Sequence, residues 1–527
     1  MMFDLVIRGG RLVDGTGAPS RSGDLGIAED RIAAIGDLSR AESRRSLDAT
    51  GMVVAPGFMD IHSHSDFTLL IDPRAHSQIF QGVTTELVGN CGHGCAPVGP
   101  RVDAFTGNIY GYQDTHPIDW TTMEGYLARL EEAGPAVNVA TLVPNGNLRL
   151  AAVGDMTRPA TADETALMAQ LLEEGLDSGA FGFSTGLEYP AEREASEEEL
   201  IELCRVTARH GGLYATHERN REVFAIEAVD EGLRAAAATG VRLQVSHIIP
   251  RRGGPVGSLE RCIELVEAAH ESGLDVEFDA HTRLHGITNL SAVLPSWAMD
   301  DGPARLRRYL KDPAMRDRLK RYDSIISSFG LGGWDRVALF CSEGSPTKVG
   351  HSIAELTPAG GDPYDTLYDL LLAEGDDPHG ALLIVESYDD DMLAHTFRHP
   401  LCTTESDATA LCTDGPLGNT TFLGAYTWVG IFFRTMVRER RELTLEEAVY
   451  KLSAQPADRM RLGDRGRLIE GKKADIVVFD PDEFSDRGTL DDPNCPAVGV
   501  RHVLVNGGPT VIDGAETGHR SGRVLRR

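Results

Sequence analysis

The sequence is short of positive charge, of long apolar runs and of regularly spaced cysteine. Its 51 Lys and Arg face 80 Asp and Glu, a net charge of −29, which disfavours nucleic acid and anionic membranes as partners. No apolar run reaches the about 18 residues that suggest a membrane helix, and residues 1–8 lack the basic and apolar regions of a secretory leader. The 8 cysteines are scattered and form no CxxC pair, so a disulfide framework or structural zinc knuckle is not expected. We therefore expect a cytoplasmic protein without a nucleic-acid or membrane partner.

Both ends of the chain have the pattern of short β-strands followed by glycine. Residues 4–7 have this pattern near the start, and residues 473–480 and 500–507 have it near the end. A chain of 527 residues is also longer than one hydrophobic core usually serves. We predict that residues 1–56 and 455–527 together form a small β-sandwich domain beside a larger catalytic domain.

Between the two ends, short apolar strands alternate with helical segments, which is typical of βα units and a parallel sheet. One helix signal is Ser196 followed by Glu199, the spacing of an N-terminal capping box. The predicted strands are residues 52–58, 84–88, 137–143, 180–184, 213–216, 242–246, 274–279 and 408–413. Eight such units predict an α/β fold, a (β/α)8 barrel over residues 57–454, with an insertion at about 281–407 between strands 7 and 8.

Metal-ligating residue types follow the predicted barrel strands, at the ends where such barrels carry their active sites. The set consists of His62, His64, Cys91, His217, His247 and Asp414. His62 and His64 have the i, i+2 spacing that puts both rings on one face of an extended segment. Histidine, cysteine and aspartate together suit zinc. A single histidine near a strand end is more commonly structural, and Cys91 alone would be a buried thiol, but the flanking glycines of Cys91 and the set as a whole predict a metal site.

Nine short motifs extend this pattern over nearly the whole chain. They are Pro56–Asp66, Gly82–Thr85, Gly89–Gly92, Ser184–Pro190, Thr216–Arg219, Ser246–His247, Thr413–Gly415, Asp464–Gly466 and Ala474–Val477. Together they resemble the D-aminoacylase branch of the amidohydrolase superfamily, the N-acyl-D-amino-acid deacylases. The resemblance implies a (β/α)8 barrel, a flanking β-sandwich and zinc-dependent hydrolysis of a linear amide.

The resemblance also implies a division of the metal ligands between two positions. One tightly bound zinc ion would be held by Cys91, His217 and His247. A second, weaker metal position would use His62, His64 and Asp414, with Cys91 able to bridge.

The resemblance further implies a catalytic role for Asp414. A bound metal activates water and polarises a carbonyl group, and Asp414 would take the water's proton and later protonate the leaving amine. The alternative is an ordinary turn aspartate before Gly415. A carboxylated lysine that bridges two metals on strand 4, as in many other amidohydrolases, is excluded because Lys311 is the first lysine of the chain.

The positions that grip the substrate carboxylate in such deacylases differ here. Ile249 stands where a lysine is expected, and residues 279–283 replace a tyrosine-containing segment. The remaining candidates for substrate contact are Arg283, Asn145, His281 and Arg219. Arg283 could replace the lost cation, since guanidinium binds carboxylates in bidentate fashion. We expect a small-molecule amide that is bulkier or more apolar than a simple N-acyl-D-amino acid.

Other functions have weaker support in the sequence. Hydrolysis of a cyclic amide, a carbamate or a urea is the nearest alternative, and a non-catalytic scaffold is a remote one. Residues 182–186 match the G-x-S-x-G pattern of serine hydrolases, but Pro190 follows where that fold needs a helix.

Overall fold

The computed structural model describes residues 2–100, 105–113, 115–299 and 302–527. Its strands are β1 Phe3–Leu12, β2 Arg21–Ala28, β3 Arg31–Gly36, β4 Ser43–Asp48, β5 Val53–Pro56, β6 Phe58–Asp60, β7 Val83–Val88, β8 Asn138–Pro144, β9 Gly182–Gly186, β10 Leu213–His217, β11 Arg242–Val245, β12 Val276–His281, β13 His285–Asn289, β14 Val337–Cys341, β15 Leu382–Glu386, β16 Cys402–Glu405, β17 Ile476–Phe479, β18 Val500–Val505, β19 Gly508–Ile512 and β20 Ala515–Glu516.

The helices connect these strands or cover the sheets that they form. They span Thr68–Ile71, His76–Ile79, Met123–Ala133, Asn145–Ala152, Ala162–Asp177, Glu197–Arg209, Ala225–Thr239, Ser258–Glu271, Ser296–Met299, Pro303–Lys311, Pro313–Leu319, Ile325–Leu331, Ile353–Leu356, Pro363–Ala373, Asp390–Arg398, Trp428–Phe432, Phe433–Glu439 (a π-helix), Leu445–Leu452 and Ala454–Arg459. At Ser196 the side chain accepts a hydrogen bond from the backbone N–H of Glu199, as the capping pattern predicts. No described helix is long and apolar enough to cross a membrane.

Strands from both ends of the chain share one nine-stranded sheet. Its order is β20-β19-β18-β17-β5-β1-β2-β3, with β4 paired to β1. The two ends meet where β17 runs antiparallel to β5, with Ile476 opposite Pro56. Because β5 leads within two residues into β6, this sheet holds the first barrel strand at a fixed place.

The barrel has eight strands in the order β16-β12-β11-β10-β9-β8-β7-β6. All neighbours that pair along this path are parallel, because a helical crossover returns the chain to the same end before each next strand. A parallel bridge between Ser63 and Ala408 links the two end strands and nearly closes the barrel. The predicted (β/α)8 fold is confirmed.

The eighth barrel strand lies earlier in the sequence than expected. The prediction of residues 408–413 is wrong, since β16 is Cys402–Glu405 and pairs with β12 from Phe278 opposite Cys402 to His281 opposite Glu405. Two adjacent β-branched residues, Thr403 and Thr404, favour the extended conformation there. The carboxyl end of the strand therefore falls at Ser406 and Asp407.

The segment between β12 and β16 is an insertion with its own core. It contains the antiparallel sheet β13-β15-β14 and a cluster of buried apolar side chains that includes Phe329 and Leu367. The insertion also reaches the barrel, because the Arg251 guanidinium lies 5.0 Å from the centroid of the Phe329 ring.

A buried ion pair joins the terminal sheet to the barrel and yields a stability prediction. Asp475 pairs with Arg465, accepts from the Asn506 backbone N–H at 2.6 Å and lies 3.3 Å from the Asn138 amide of β8. Asp475→Ala removes the buried partner of the Arg465 guanidinium and leaves it only the exposed Asp464 carboxylate, 3.3 Å from its Nε, so we expect the free energy of unfolding to fall by about 3 kcal/mol in urea titrations. Asp458→Ala, which breaks the more exposed pair with Arg467, is the control and should cost less than about 1 kcal/mol. Equal losses of unfolding free energy in the two variants would contradict a special role of the buried Asp475–Arg465 pair.

Candidate metal centre

The candidate ligands meet at the carboxyl ends of the barrel strands. His62 and His64 follow β6, Cys91 follows β7, His217 ends β10 and His247 follows β11. All five side chains are buried. The parallel order of the strands brings residues that are up to 185 positions apart to one end of the barrel.

These side chains form two groups that share one thiol. In the first group, ligand atoms of Cys91, His217 and His247 lie within 4.8 Å of one another, and in the second those of His62, His64, Cys91 and Asp407 do so. Nε2 of His62 lies 3.1 Å from the Cys91 sulfur, and Nε2 of His247 lies 3.6 Å from it. Cys91 is thus placed between two potential metal positions.

The donor atoms fit zinc. A thiolate with imidazole nitrogens is a set that zinc prefers, and the Nδ1 atom of His217 is buried without a hydrogen-bond partner among the described residues. Burial lowers the pKa of His217 to about 4 and that of His247 well below its usual range. At neutral pH both rings are therefore neutral, the form that binds a metal.

The backbone at the shared thiol is held in an unusual conformation. Cys91 has φ = +53° and His247 has φ = +34°, and non-glycine residues in this region are strained. Gly92 follows Cys91 at φ = +68°, where an added Cβ would lie 1.6 Å from the Glu192 carboxylate and 2.8 Å from the Gly186 nitrogen. The turn requires glycine at position 92 because the barrel loops that carry Gly186 and Glu192 approach it so closely. The Cys91 sulfur lies beside His62 and His247.

The structure does not bring Asp414 to this site. Its side chain is 69% exposed and pairs with Arg74 at 2.6 Å, while Asp407 lies 3.1 Å from Nε2 of His64. The expectation that Asp414 lies among the candidate ligands is therefore wrong, and the aspartate that lies beside them is Asp407. The cause is the position of β16, which ends at Glu405, so that Asp407 and not Asp414 is the aspartate at the strand end. The β-branched pair before Glu405 is the sequence signal that could have found it.

Asp407 is held as a charged carboxylate by Arg283. The guanidinium lies 2.5 Å from Oδ2 of Asp407 and also donates to the Ser406 carbonyl oxygen at 2.6 Å. Burial alone would raise the pKa of Asp407, but Arg283 and His64 outweigh it and hold that pKa well below its usual range. Arg283 was expected to contact substrate, and in the structure it binds Asp407.

The other three expected substrate contacts differ in location. Asn145 is buried and donates to Glu192 at 2.9 Å, behind the Cys91 turn. The ring of His281 is buried 4.9 Å from that of Tyr388. Arg219 is not brought to the metal ligands: it pairs with Glu231 at 2.9 Å and donates to backbone oxygens of the β9–β10 connection.

Carboxylates that the sequence reasoning missed lie behind three of the histidines. Glu188 is 2.9 Å from Nε2 of His217, Glu218 is 3.6 Å from Nδ1 of His247, and Asp279 is 3.5 Å from Nδ1 of His62. Such partners fix the orientation of metal-binding imidazoles. Glu188 and Glu218 lie inside two of the quoted motifs, so their position beside ligand residues was a usable signal.

The two glutamates that contact His217 and His247 differ in their charge. Burial opposes ionisation of Glu188, but Arg251 and His217 lower its pKa to about 2. Burial raises the pKa of Glu218 to about 8. The carboxylate behind His217 is therefore charged at neutral pH, whereas the one behind His247 is largely protonated.

Aromatic rings border the ligands on the side of the β7 loop. The Tyr110 ring lies 4.6 Å from that of His64, and the Tyr189 ring lies 4.8 Å from that of His217. His93 contacts both tyrosines. These rings pack directly against the rings of His64 and His217.

Comparison with known proteins gives the same picture over the whole chain. A model described as the amidohydrolase family matches residues 45–286 and 377–511. N-acyl-D-glutamate deacylase from Alcaligenes xylosoxydans xylosoxydans is 36% identical, over 100% of this chain and 97% of that protein. D-aminoacylase from the same organism is 33% identical, over 100% and 98% of the two chains.

Solved structures agree with the sequence relatives. N-acyl-D-glutamate deacylase from Bordetella bronchiseptica, complexed with zinc and a phosphonate inhibitor, has a TM-score of 0.82 and 32% identity, with both chains covered to 100%. Fold, ligand arrangement and relatives lead to one assignment. This chain belongs to the amidohydrolase family, in its D-aminoacylase branch.

Proposed function

We propose that this protein is a zinc-dependent amidohydrolase that cleaves the C–N bond of a linear amide, as an N-acyl-amino-acid deacylase does. The observation that carries the proposal is the pair of ligand groups that share Cys91 at the carboxyl end of the barrel. The zinc in the related deacylase supports the same metal.

In this proposal the residues divide the work between binding and proton transfer. Cys91, His217 and His247 would hold the tightly bound zinc ion, which when bound would lower the pKa of water and polarise the amide carbonyl. Asp407 accepts a proton from the attacking water and returns it to the leaving nitrogen. Arg283 keeps Asp407 charged and oriented for the first of these transfers.

A second, weaker metal position is part of the proposal. It would use His62 and His64 together with Asp407 and the shared Cys91. Its weaker hold follows from the competing partner of Asp407, since Arg283 already neutralises the carboxylate.

The substrate is proposed to be bulkier or more apolar than a simple N-acyl-D-amino acid. Three buried arginines near the site are already engaged by protein groups. Arg283 binds Asp407, Arg251 binds Glu188 and Glu222, and Arg221 donates to the His247 and Ile249 backbone oxygens. Ile249 itself stands where a substrate-binding lysine was expected. Hydrolysis of a cyclic amide, carbamate or urea is the second candidate, favoured only by the shared fold.

The proton-transfer role of Asp407 can be separated from a role of Asp414. Asp407→Asn removes the proton acceptor, so we expect kcat to fall by about 10²–10⁴-fold while zinc stays at the Cys91, His217 and His247 position. Zinc content by mass spectrometry and steady-state hydrolysis measure the two effects. The matched control is Asp414→Asn, which alters a largely exposed aspartate and should keep near-normal turnover. Loss of turnover in the control alone would reverse the assignment.

The shared thiol gives a prediction about metal content. Cys91→Ser replaces the thiolate by a poor zinc ligand, so purified protein should retain well under one zinc per chain. Cys204→Ser alters another buried thiol that lies in the Glu197–Arg209 helix and should leave zinc content unchanged. Equal zinc content in both variants would remove Cys91 from the site.

A substrate panel tests the proposed chemistry. Larger apolar N-acyl amides should be hydrolysed faster, by kcat/KM, than N-acetyl-D-amino acids, because the buried arginines already bind protein groups. Hydantoins, dihydropyrimidines, carbamates and ureas complete the panel. High turnover of simple N-acetyl-D-amino acids would refute the substrate proposal, and preference for a cyclic amide would refute the linear-amide assignment.

A further inference from the structure

We propose that the loops beside the candidate metal ligands carry a surface for the long apolar chain of an N-acyl substrate. This surface, which we call the apolar rim, consists of Val223, Phe224, Val256 and Leu331. The proposal rests on the proposed function and deepens it, because it assigns the apolar part of the substrate to an aliphatic acyl chain.

The side chains of the apolar rim are exposed to solvent. Phe224 is 59% exposed, Leu331 is 57% exposed and Val223 is 41% exposed, while Val256 is fully exposed. In the described part of the chain ten large apolar side chains are exposed, and these four are among them. Single exposed apolar residues are ordinary on protein surfaces, whereas contiguous patches often have a function. The contacts between the loops decide which case applies.

Backbone packing brings the three loops of the apolar rim together. A Cβ added at Gly254 would lie 2.3 Å from the carbonyl oxygen of Glu222, the residue directly before the first side chain of the rim. A Cβ added at Gly253 would lie 3.0 Å from Cβ of Leu331. Val256 follows two residues after Gly254. The loop after β10, the loop after β11 and the insertion helix therefore form one continuous surface.

The apolar rim lies at the same end of the barrel as the candidate metal ligands. The loop after β10 starts behind His217, and the loop after β11 contains His247. Loops that follow barrel strands lie at the face that carries the active site. Beneath the rim, the Arg251 guanidinium contacts the Phe329 ring and the Glu188 carboxylate, and Glu188 contacts His217. A layer of buried side chains thus connects the rim to the candidate metal centre.

The size of the apolar rim fits a single aliphatic chain better than a protein partner. Its four side chains expose at most roughly 500 Å². A stable protein interface buries about 800 Å² on each partner, so the rim alone is too small for one. An acyl chain needs only an apolar strip beside the reacting amide, and each methylene group that leaves water contributes to its binding.

The experiment uses a series of N-acyl compounds with one amine and acyl groups from acetyl through hexanoyl to dodecanoyl, each below its micelle concentration. The amine is that of the amide which the wild-type protein hydrolyses fastest. We expect kcat/KM of the wild type to rise with chain length. Phe224→Ser combined with Leu331→Ser should lower kcat/KM for the dodecanoyl compound by about tenfold and keep that for the acetyl compound within about twofold of wild type. The acetyl compound thus reports whether the double variant is folded and active.

Leu167→Ser is the matched control for the double variant. Leu167 is 42% exposed and lies in the Ala162–Asp177 helix between β8 and β9, outside the three loops of the rim. Its substitution should leave the dependence on chain length unchanged. An equal loss in this control, or a double variant that keeps the wild-type dependence on chain length, would overturn the proposal.

Binding of dodecanoate to the zinc-loaded protein separates this proposal from the proposed function. Isothermal titration calorimetry should show binding with a negative change in heat capacity, weakened about tenfold in the double variant and unchanged in Leu167→Ser. Such binding by a wild-type protein that hydrolyses no amide would support the apolar rim and overturn the proposed function. Amide hydrolysis without any dependence on chain length would overturn the rim proposal alone. A wild-type dimer that becomes a monomer in the double variant during sedimentation would assign the rim to a second copy of the chain and also overturn the proposal.

Discussion

One buried thiol lies where two sets of side chains meet, and the geometry around it depends on a tight backbone turn. Cys91 belongs to both ligand groups and has a positive φ. It keeps that conformation because Gly92 passes close to Glu192 and Gly186, where no larger residue fits. Burial also raises the pKa of the Cys91 thiol well above its usual value, so only a bound cation would favour its thiolate.

Two carboxylates near that thiol are each paired with a buried arginine. Buried ions are costly unless they are paired. The structure pairs Asp407 with Arg283 and Glu188 with Arg251. Arg283 also contacts the segment after β16, and Arg251 contacts the insertion. The insertion therefore contributes to the support of the candidate metal centre.

Most of the architecture could be predicted because it depends on local patterns. Alternation of apolar strands with helices, and the identity of residues at strand ends, led to the barrel and to five of the ligand candidates. The eighth strand was misplaced because residues 408–413 are apolar, whereas β16 contains Thr403, Thr404 and Glu405 inside a polar barrel interior. Because of that shift, the sequence analysis named Asp414 at the end of the eighth strand, where the structure has Asp407.

By itself, the sequence determined which residue types could bind a metal and roughly where the chain would place them, because strand periodicity and motif spacing are local properties. Only the tertiary structure decided which aspartate faces His64, what Arg283 binds and which nitrogen of His217 is free. Those outcomes depend on contacts between residues such as Arg283 and Asp407, which are 124 positions apart. Strand register and side-chain packing determine such contacts. Both depend on segments that are far apart in the sequence, so no local pattern predicts them.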